Sequence, residues 1–204
     1  LGYLILTYLI AICVGSIMGY FGGKTDILGL RLVEIWANVP FLYMVIILVS
    51  VMPSWWGIGW RVSSLLIIMV LFSWTGMTYY IRASVYKEKA RDYVSAAKVI
   101  GASSSRIIFR HLLPNVISTL VTFAPFTIAA AVSSITALDF LGYGLPPPTP
   151  SWGELLKQGV NNLRIAPWIV ISSVTTLVLT LTLVTFVGEA VREAFDPKKF
   201  SIYE

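Results

Sequence analysis

Five long apolar runs, none of which contains a charged residue, dominate this chain of 204 residues and limit what it can fold into. They cover residues 3–21, 35–52, 62–81, 116–138 and 166–188. A helix needs about 20 apolar residues to cross a hydrocarbon core about 30 Å thick, and each run is close to that length. The runs do not alternate between apolar and polar residues, as the strands of a membrane barrel do. The sequence therefore predicts an all-α membrane protein, a bundle of five transmembrane helices that forms one domain over residues 1–204.

The composition agrees with a membrane protein and excludes several classes of site. With 57% hydrophobic and 12% charged residues and a mean hydropathy of +0.81, the chain has too little polar material to cover a water-soluble fold. It contains one cysteine, Cys13, and one histidine, His111, so it can form neither an internal disulfide nor a Cys/His metal cluster. The net charge of +5 would suit nucleic acid only if the basic residues formed one soluble patch. We expect no nucleic-acid partner, because the basic residues lie in separate segments next to the apolar runs.

The positions of lysine and arginine predict the orientation in the membrane. Twelve of the fifteen basic residues follow the first, third or fifth apolar run, and cytoplasmic loops collect basic residues close to the ends of spans. The loop 82–114 and the C-terminus are therefore predicted to be cytoplasmic, and the loop 139–165 to face outward. This orientation places Leu1 outside, although the chain starts in an apolar run without Met or a basic signal-peptide region. We therefore expect at least one further span before Leu1.

The cytoplasmic loop contains a short amphipathic pattern. Tyr93, Ala96, Ala97 and Ile100 follow helical spacing, which predicts a short helix with one small, apolar docking face. Gly101 suits the left-handed end of this helix, and serines 103–105 suit the N-cap of a second helix that contains residues 107 and 108. Pro114 is predicted to mark the turn into the fourth run. The alternative is a loop that lies on the membrane surface, held by its basic residues and anionic lipid.

The same loop resembles that of the membrane subunits of bacterial ATP-binding-cassette importers. Their pattern is Glu-Ala-Ala, three residues, Gly, nine residues, and Ile-x-Leu-Pro. Ala96, Ala97, Gly101, Leu113 and Pro114 match it, whereas a serine at 95 replaces Glu and a histidine at 111 replaces Ile. Further similarity lies in GYFGG (19–23), DFLGYGLPPPTPSWGELLKQG (139–159) and GEAVREAFDPKK (188–199). The chain is similar to the C-type permeases of the dipeptide, oligopeptide and nickel group, nearest to the long-peptide and microcin C branch.

The resemblance implies an importer permease fold in the bacterial cytoplasmic (inner) membrane, with a multi-pass chain that forms half of a pathway for oligopeptides or peptide-like compounds. The implied partners are a second homologous permease, two ATPase subunits or one fused ATPase, an extracytoplasmic binding protein, the peptide substrate and membrane lipid. ATP and Mg²⁺ would bind the ATPase, and this chain would hold no cofactor and catalyse no reaction. The implied ATPase-coupling residues are Tyr93, Ala96, Ala97, Ile100, Gly101, Arg106, Leu113 and Pro114. The implied contacts to the binding protein are Pro147, Pro150, Trp152, Gly153 and Glu154.

Two rival functions fail on the residues. The segment 19–25, GYFGGKT, is close to a phosphate-binding loop but has Met18 where that motif needs glycine, and it follows a span rather than a strand. A serine hydrolase within the membrane would need a histidine near its nucleophile, but the one histidine, His111, lies in the predicted cytoplasmic loop. An aspartyl hydrolase would need two facing carboxylates, and Asp139 is the one Asp at a span boundary on its side. A channel or exporter subunit that works without a binding protein stays open as an alternative.

Two sets of hydroxyl residues recur along the last two predicted spans. Thr119, Thr122 and Thr127 lie in the fourth span, and Ser172, Thr176 and Thr180 recur every four residues in the fifth. They would either line a water-filled route for peptide groups or hold helices together by hydrogen bonds. The outward loop likewise has two interpretations, a contact surface for the binding protein or a re-entrant plug that only shapes the fold. Pro40 and Pro125 are predicted to bend their helices.

Overall fold

The computed structural model describes residues 1–53, 55–145 and 148–194. Every regular element in these residues is helical. The helices are α1 (Gly2–Phe21), α2 (Gly23–Ala37), α3 (Phe41–Ser50), α4 (Ile58–Lys89), α5 (Asp92–Val99), α6 (Ser104–Arg106), α7 (Leu113–Phe140), α8 (Trp152–Asn161) and α9 (Pro167–Ala194). A π-helical turn, Ile107–Leu112, joins α6 to α7, so that one continuous helix covers Ser104–Phe140. The predicted all-α class is confirmed.

Four helices in the described residues are long and apolar enough to cross a membrane: α1, α4, the continuous helix Ser104–Phe140 and α9. The second predicted span, 35–52, is not one straight helix, because it contains the end of α2 and all of α3, which are bent by 66° at the break between them. Pro40 causes the break, since its backbone is extended and it has no amide hydrogen to continue a helix. The bent pair makes a fifth span only if both helices belong to one crossing.

The chain divides into two compact units. The first contains Leu1–Val39, Val70–Ala124 and the end of α9 from Val191, and the second contains Pro40–Met69 and Pro125–Ala190. Three of the long helices, α4, α7 and α9, contribute residues to both units. Each unit is described by itself below.

In the first unit, α1 packs closely against α4 through two glycines. An added Cβ at Gly15 would lie 2.9 Å from the Thr78 carbonyl oxygen, and one at Gly19 would lie 2.7 Å from the Arg82 carbonyl oxygen. Glycines four residues apart let two helix backbones approach in this way, which favours helix association within a membrane. Around this contact lies a core that includes Tyr8, Ala11, Ile81, Val85 and Leu112.

In the second unit, glycines again mark the places where helices meet. A Cβ at Gly188 of α9 would lie 2.6 Å from the Pro125 Cβ of α7, and one at Gly159 of α8 would lie 2.7 Å from the Val170 Cγ2 of α9. Gly153 of α8 is buried and packs against the last turns of α7. The opposite side of α9 is apolar and exposed, with eight large residues: Trp168, Ile171, Val174, Val178, Leu179, Leu183, Phe186 and Val187.

Candidate functional site

The turn after α5 has the geometry that the sequence predicts. Gly101 has a φ of +80°, a value that favours glycine, and Ala102 N donates to the Ala97 carbonyl oxygen at 3.0 Å. Ser103 then begins α6, because its Oγ accepts a hydrogen bond from Arg106 N at 3.4 Å. Both predicted helix ends are confirmed. The segment from α5 to α6 thus consists of a short helix, a turn at Gly101 and a second helix start capped by Ser103.

Pro114 does not form a turn, contrary to the prediction, but lies inside the continuous helix. Proline lacks an amide hydrogen, and in an α-helix its ring would meet the carbonyl group of Arg110, four residues earlier. The preceding turn is π-helical, and Leu113 N donates to the Ile108 carbonyl oxygen, five residues earlier. The wider turn lets the helix pass through the proline. Pro114 itself is exposed, and Leu113 is partly buried.

The predicted apolar face of α5 is split between two environments. Ala97 is only 4% exposed and lies, with Val94, in the core of the first unit. Ala96 and Ile100 are exposed, and Ile100 and its neighbour Val99 are exposed to 84% and 87%. The expectation that Ala97 belongs to a docking face was therefore wrong. Helical spacing did not separate the two apolar sides of a helix of only eight residues.

Val99 and Ile100 form what we call the apolar tip, directly before Gly101. The sequence analysis missed Val99, although its place directly before Ile100, a predicted docking residue, was an available signal. Phe109, in the π-helical turn, is a second large exposed apolar residue that was missed. Arg106, one of the implied ATPase-coupling residues, is exposed, and so is Arg110.

The Tyr93 side chain turns toward its own chain. Its hydroxyl donates to Glu88 Oε2 at 3.0 Å and accepts from Asn115 Nδ2 at 3.1 Å, and it lies 3.4 Å from the His111 carbonyl oxygen. Burial raises the pKa of Tyr93, and the hydrogen bond to Glu88 raises it further. The phenol therefore stays protonated and remains a donor at neutral pH. Tyr93, Glu88 and Asn115 border an open polar cavity of about 690 Å³ that Lys87 and Arg91 also line.

The predicted pathway hydroxyls mostly bond to their own helices. Thr122, Thr176 and Thr180 each donate to the carbonyl oxygen four residues earlier, at 2.8, 2.9 and 2.8 Å, and Ser172 donates to the Ile169 carbonyl oxygen at 3.1 Å. Thr119 differs, because its Oγ1 lies 3.3 Å from Ser84 Oγ on α4. Thr127 is partly buried. This pattern satisfies the hydroxyls, and their role in a pathway stays a prediction.

The loop 139–165, predicted to face outward, contains a helix, α8, that the sequence analysis missed. Ser151 begins it, with Oγ accepting from Glu154 N at 3.1 Å. The signal was the spacing Ser-x-x-Glu, which is typical of a capped helix start. Trp152 Nε1 donates to Thr176 Oγ1 at 3.1 Å, and Glu154 Oε1 accepts from Gln158 Nε2 at 2.9 Å. Of the remaining predicted loop residues, Pro150 is exposed and Pro147 lies outside the described residues.

A buried carboxylate at the end of α7 holds the start of this loop. Asp139 is 4% exposed, and its Oδ1 accepts a hydrogen bond from Leu145 N. Any Cβ at Gly144 would collide with the Asp139 carboxylate, and any Cβ at Gly153 would collide with its Cβ and with the Thr136 carbonyl oxygen. Gly144 and Gly153 therefore leave the space that the Asp139 side chain occupies. The sequence analysis had considered Asp139 only as a catalytic carboxylate and missed this structural role.

The family model described as "Binding-protein-dependent transport system inner membrane component" matches residues 11–201. The chain belongs to this family. It is 45% identical over 195 residues to the "Peptidoglycan transport system permease protein YejE" of Agrobacterium fabrum, covering 96% of this chain and 49% of that protein. It is 34% identical over 184 residues to the "Oligopeptide transport system permease protein OppC" of Haemophilus influenzae, covering 90% and 57%.

A further relative of this inner-membrane component is the "Inner membrane ABC transporter permease protein YejE" of Escherichia coli, 45% identical over 186 residues, with 91% of this chain and 52% of that protein covered. The chain thus spans about half the length of the first curated relatives it matches. Among solved structures, a chain of the MetNI methionine ABC transporter in an inward-facing conformation has a TM-score of 0.68 at 17% identity. That match covers 96% of this chain and 90% of the other, and it confirms the predicted importer fold.

Proposed function

We propose that the protein is a membrane-spanning permease subunit of an ATP-driven importer of oligopeptides or peptide-like compounds. The relatives are named for oligopeptide and peptidoglycan transport, and the family description refers to a binding protein. Two relatives from different species share the YejE name at 45% identity, which favours the branch that carries larger peptide-like substrates. Size selection within that class would reside largely in the binding protein.

The apolar tip is the observation that carries the proposed coupling to an ATPase. A helix of eight residues stands between two long apolar helices, with its inner side packed by Val94 and Ala97 and its outer end exposing Val99 and Ile100. An exposed pair of large apolar residues at a rigid, capped turn is suited to insertion into a groove of a protein partner. Flanking cations at Arg106 and Arg110 would pair with acidic groups around such a groove.

The proposed assembly follows from the family. A second homologous permease would complete the pathway, two ATPase subunits or one fused ATPase would bind ATP and Mg²⁺, and a binding protein would deliver the substrate. This chain would hold no cofactor. The C-terminus and the apolar tip would lie in the cytoplasm, and α8, with Pro150, Trp152 and Glu154, would face the binding protein. Pro147 is assigned to the same surface from the sequence pattern alone.

The pathway assignment is also part of this proposal. From the sequence pattern alone, the residues that would border the route for the peptide are Thr119, Thr122, Thr127, Ser172, Thr176 and Thr180. Thr122 and Thr180 donate their hydroxyl protons to their own helices, so their oxygen lone pairs can accept hydrogen bonds from peptide amides.

The experiment uses the full-length protein that carries this sequence, purified with its second permease, ATPase and binding protein and reconstituted in lipid vesicles. We expect ATP-dependent uptake of a labelled peptide. Ile100→Glu should reduce co-purification of the ATPase by about tenfold or more, because a charge replaces a central apolar contact. Val160→Glu on α8 is the matched control, since Val160 is also exposed and apolar but is assigned to the outward side.

Three outcomes would contradict the proposal. Uptake that needs no ATPase would indicate a channel. Full recovery of the ATPase with Ile100→Glu would leave the loop as a lipid-surface segment. Loss of the ATPase with Val160→Glu would indicate that α8 lies on the cytoplasmic side, contrary to the proposed orientation.

A further inference from the structure

The hydroxyl of Tyr93 lies at a point where three helical elements meet. It donates to Glu88 Oε2 near the end of α4, accepts from Asn115 Nδ2 in the first turn of α7, and lies 3.4 Å from the His111 carbonyl oxygen in the π-helical turn. Asn115 Nδ2 also donates to that same carbonyl oxygen at 2.8 Å. Tyr93 itself lies in the first turn of α5. One hydroxyl therefore connects the short helix to both long helices that flank it.

The position of this contact along α7 is also particular. Pro114 interrupts the backbone hydrogen bonding of the helix at this point, and the π-helical turn before it holds a pattern that is less stable than an α-helix. The side chains of Asn115 and Tyr93 both donate to the His111 carbonyl oxygen in this turn. Such a turn is a place where a helix changes direction at low cost when its side-chain support moves.

A docking contact and a transmitting contact predict different orientations of Tyr93. A residue that docks on a partner presents its ring and hydroxyl outward, as Ile100 presents its side chain. Tyr93 is only 38% exposed, and all three hydrogen-bonding neighbours of its hydroxyl belong to its own chain. The groups of the apolar tip are available to touch a partner, and the Tyr93 hydroxyl is already occupied.

We propose that Tyr93 is a positioning residue that transmits displacement of α5 to the entry of α7, through its hydrogen bonds to Glu88 and Asn115. This inference rests on the proposed function, because the displacement would come from the ATPase bound at the apolar tip. Movement of α5 would pull on the His111 carbonyl group and on Asn115, and the π-helical turn would let α7 follow. The ATPase and the spanning helix would then share one conformational equilibrium.

The central variant is Tyr93→Phe, which keeps the ring and removes the hydroxyl. In the full reconstituted complex we expect normal co-purification of the ATPase and normal basal ATP hydrolysis. Stimulation of hydrolysis by the loaded binding protein, and uptake with it, should fall by about tenfold, the factor that corresponds to one lost hydrogen bond. Tyr86→Phe is the matched control, because Tyr86 is exposed and its hydroxyl makes no hydrogen bond within the described residues.

A second variant tests whether the two side chains act together. Asn115→Ala removes the amide that bonds both Tyr93 and the His111 carbonyl oxygen. If they form one link, the double variant Tyr93→Phe/Asn115→Ala should lose no more stimulation than the more damaged single variant. Multiplied losses would show independent roles and overturn the proposal. Loss of ATPase binding in Tyr93→Phe would overturn it too, since the residue would then be a docking contact.

A readout without transport separates this inference from the proposed function. Hydrogen exchange of the full-length permease alone should quicken over residues 107–116 in Tyr93→Phe and stay unchanged in Tyr86→Phe. Unchanged exchange in Tyr93→Phe would refute the link whatever the substrate is. Absence of uptake in the unaltered complex, together with quickened exchange in the variant, would refute the importer and keep the structural link.

Discussion

The Asp26 carboxylate, in the first turn of α2, accepts two hydrogen bonds from the Arg82 guanidinium on α4, one from Nε and one from Nη2. Both side chains are mostly buried. Gly19 packs against the Arg82 carbonyl group, so the same residue of α4 contacts α1 through its backbone and α2 through its side chain. Arg82 therefore connects α4 to both α1 and α2 at one point of the first unit.

Removing one partner of this ion pair should destabilise the protein. Asp26→Asn leaves the guanidinium without its bidentate acceptor and is expected to cost about 1–3 kcal/mol, seen as a lower melting temperature in detergent micelles. Arg82→Lys should cost less than Arg82→Ala, since an ammonium group restores the charge but not the paired geometry. The exposed pair Arg31–Glu34 is the control, and Glu34→Gln should change stability by less than about 1 kcal/mol. Equal effects in the two pairs would contradict this ranking.

The glycines of α1 and α4 should respond to alanine with opposite signs. Gly15→Ala places a methyl group 2.9 Å from the Thr78 carbonyl oxygen and from the Ile81 Cβ, so that the two helices must separate. We expect a destabilisation of about 1–3 kcal/mol. Gly76 lies on an exposed part of α4 with no atom within 4 Å of an added Cβ, and Gly76→Ala should stabilise the helix by about 0.5–1 kcal/mol. Thermal unfolding of both variants measures the difference, and a shared sign would refute the packing argument.

Bulky substitutions at Ala97 and Ile100 should differ in their effect on folding. Ala97→Trp overfills the core of the first unit and should lower stability by about 1–3 kcal/mol or prevent folding. Ile100→Trp adds bulk at an exposed position and should leave the melting temperature unchanged. Size-exclusion chromatography of detergent extracts distinguishes these outcomes. A well-folded Ala97→Trp protein would show that the interior of this unit is looser than the structure describes.

Asp139 should hold the loop that follows α7. Asp139→Ala leaves the Leu145 amide without its acceptor and opens a space beside Gly144 and Gly153, at a cost of about 1–3 kcal/mol. Asp139→Asn keeps an acceptor oxygen and should behave nearly as the native protein does. Limited proteolysis over residues 141–151, compared between the two variants, reports on the loop. Equal cleavage of the Ala and Asn variants would mean that this hydrogen bond contributes little.

The proposed orientation can be tested by cysteine labelling. In a Cys13→Ser background, Lys157→Cys should react with a membrane-impermeant reagent from the outside of intact cells, and Lys98→Cys should react only after the membrane is opened. Cys13 must be replaced because it is exposed in the structure. Labelling of position 98 from outside would reverse the orientation. The distribution of basic residues would then have misidentified the cytoplasmic side.

Local patterns in the sequence predicted the features that depend on near neighbours in the chain. Four of the five spanning helices, the left-handed glycine at 101 and the N-cap in the serine run 103–105 were predicted correctly, because each depends on residues only a few positions apart. The capped start of α8 was readable in the same way and was missed. The break at Pro40 was anticipated only as a bend, although a proline and its restricted neighbour are enough to end a helix.

Only the tertiary structure decided which surfaces face inward. Ala97 and Ile100 belong to one short amphipathic pattern, and the core formed by α1, α4 and the π-helical turn buries the first and leaves the second exposed. The Arg82–Asp26 ion pair and the hydrogen bonds of Tyr93 join residues from separate elements, and no local spacing specifies such partners. The physical reason is that helix periodicity sets the angle between side chains on one helix. Packing against other helices sets which of those angles points toward the core.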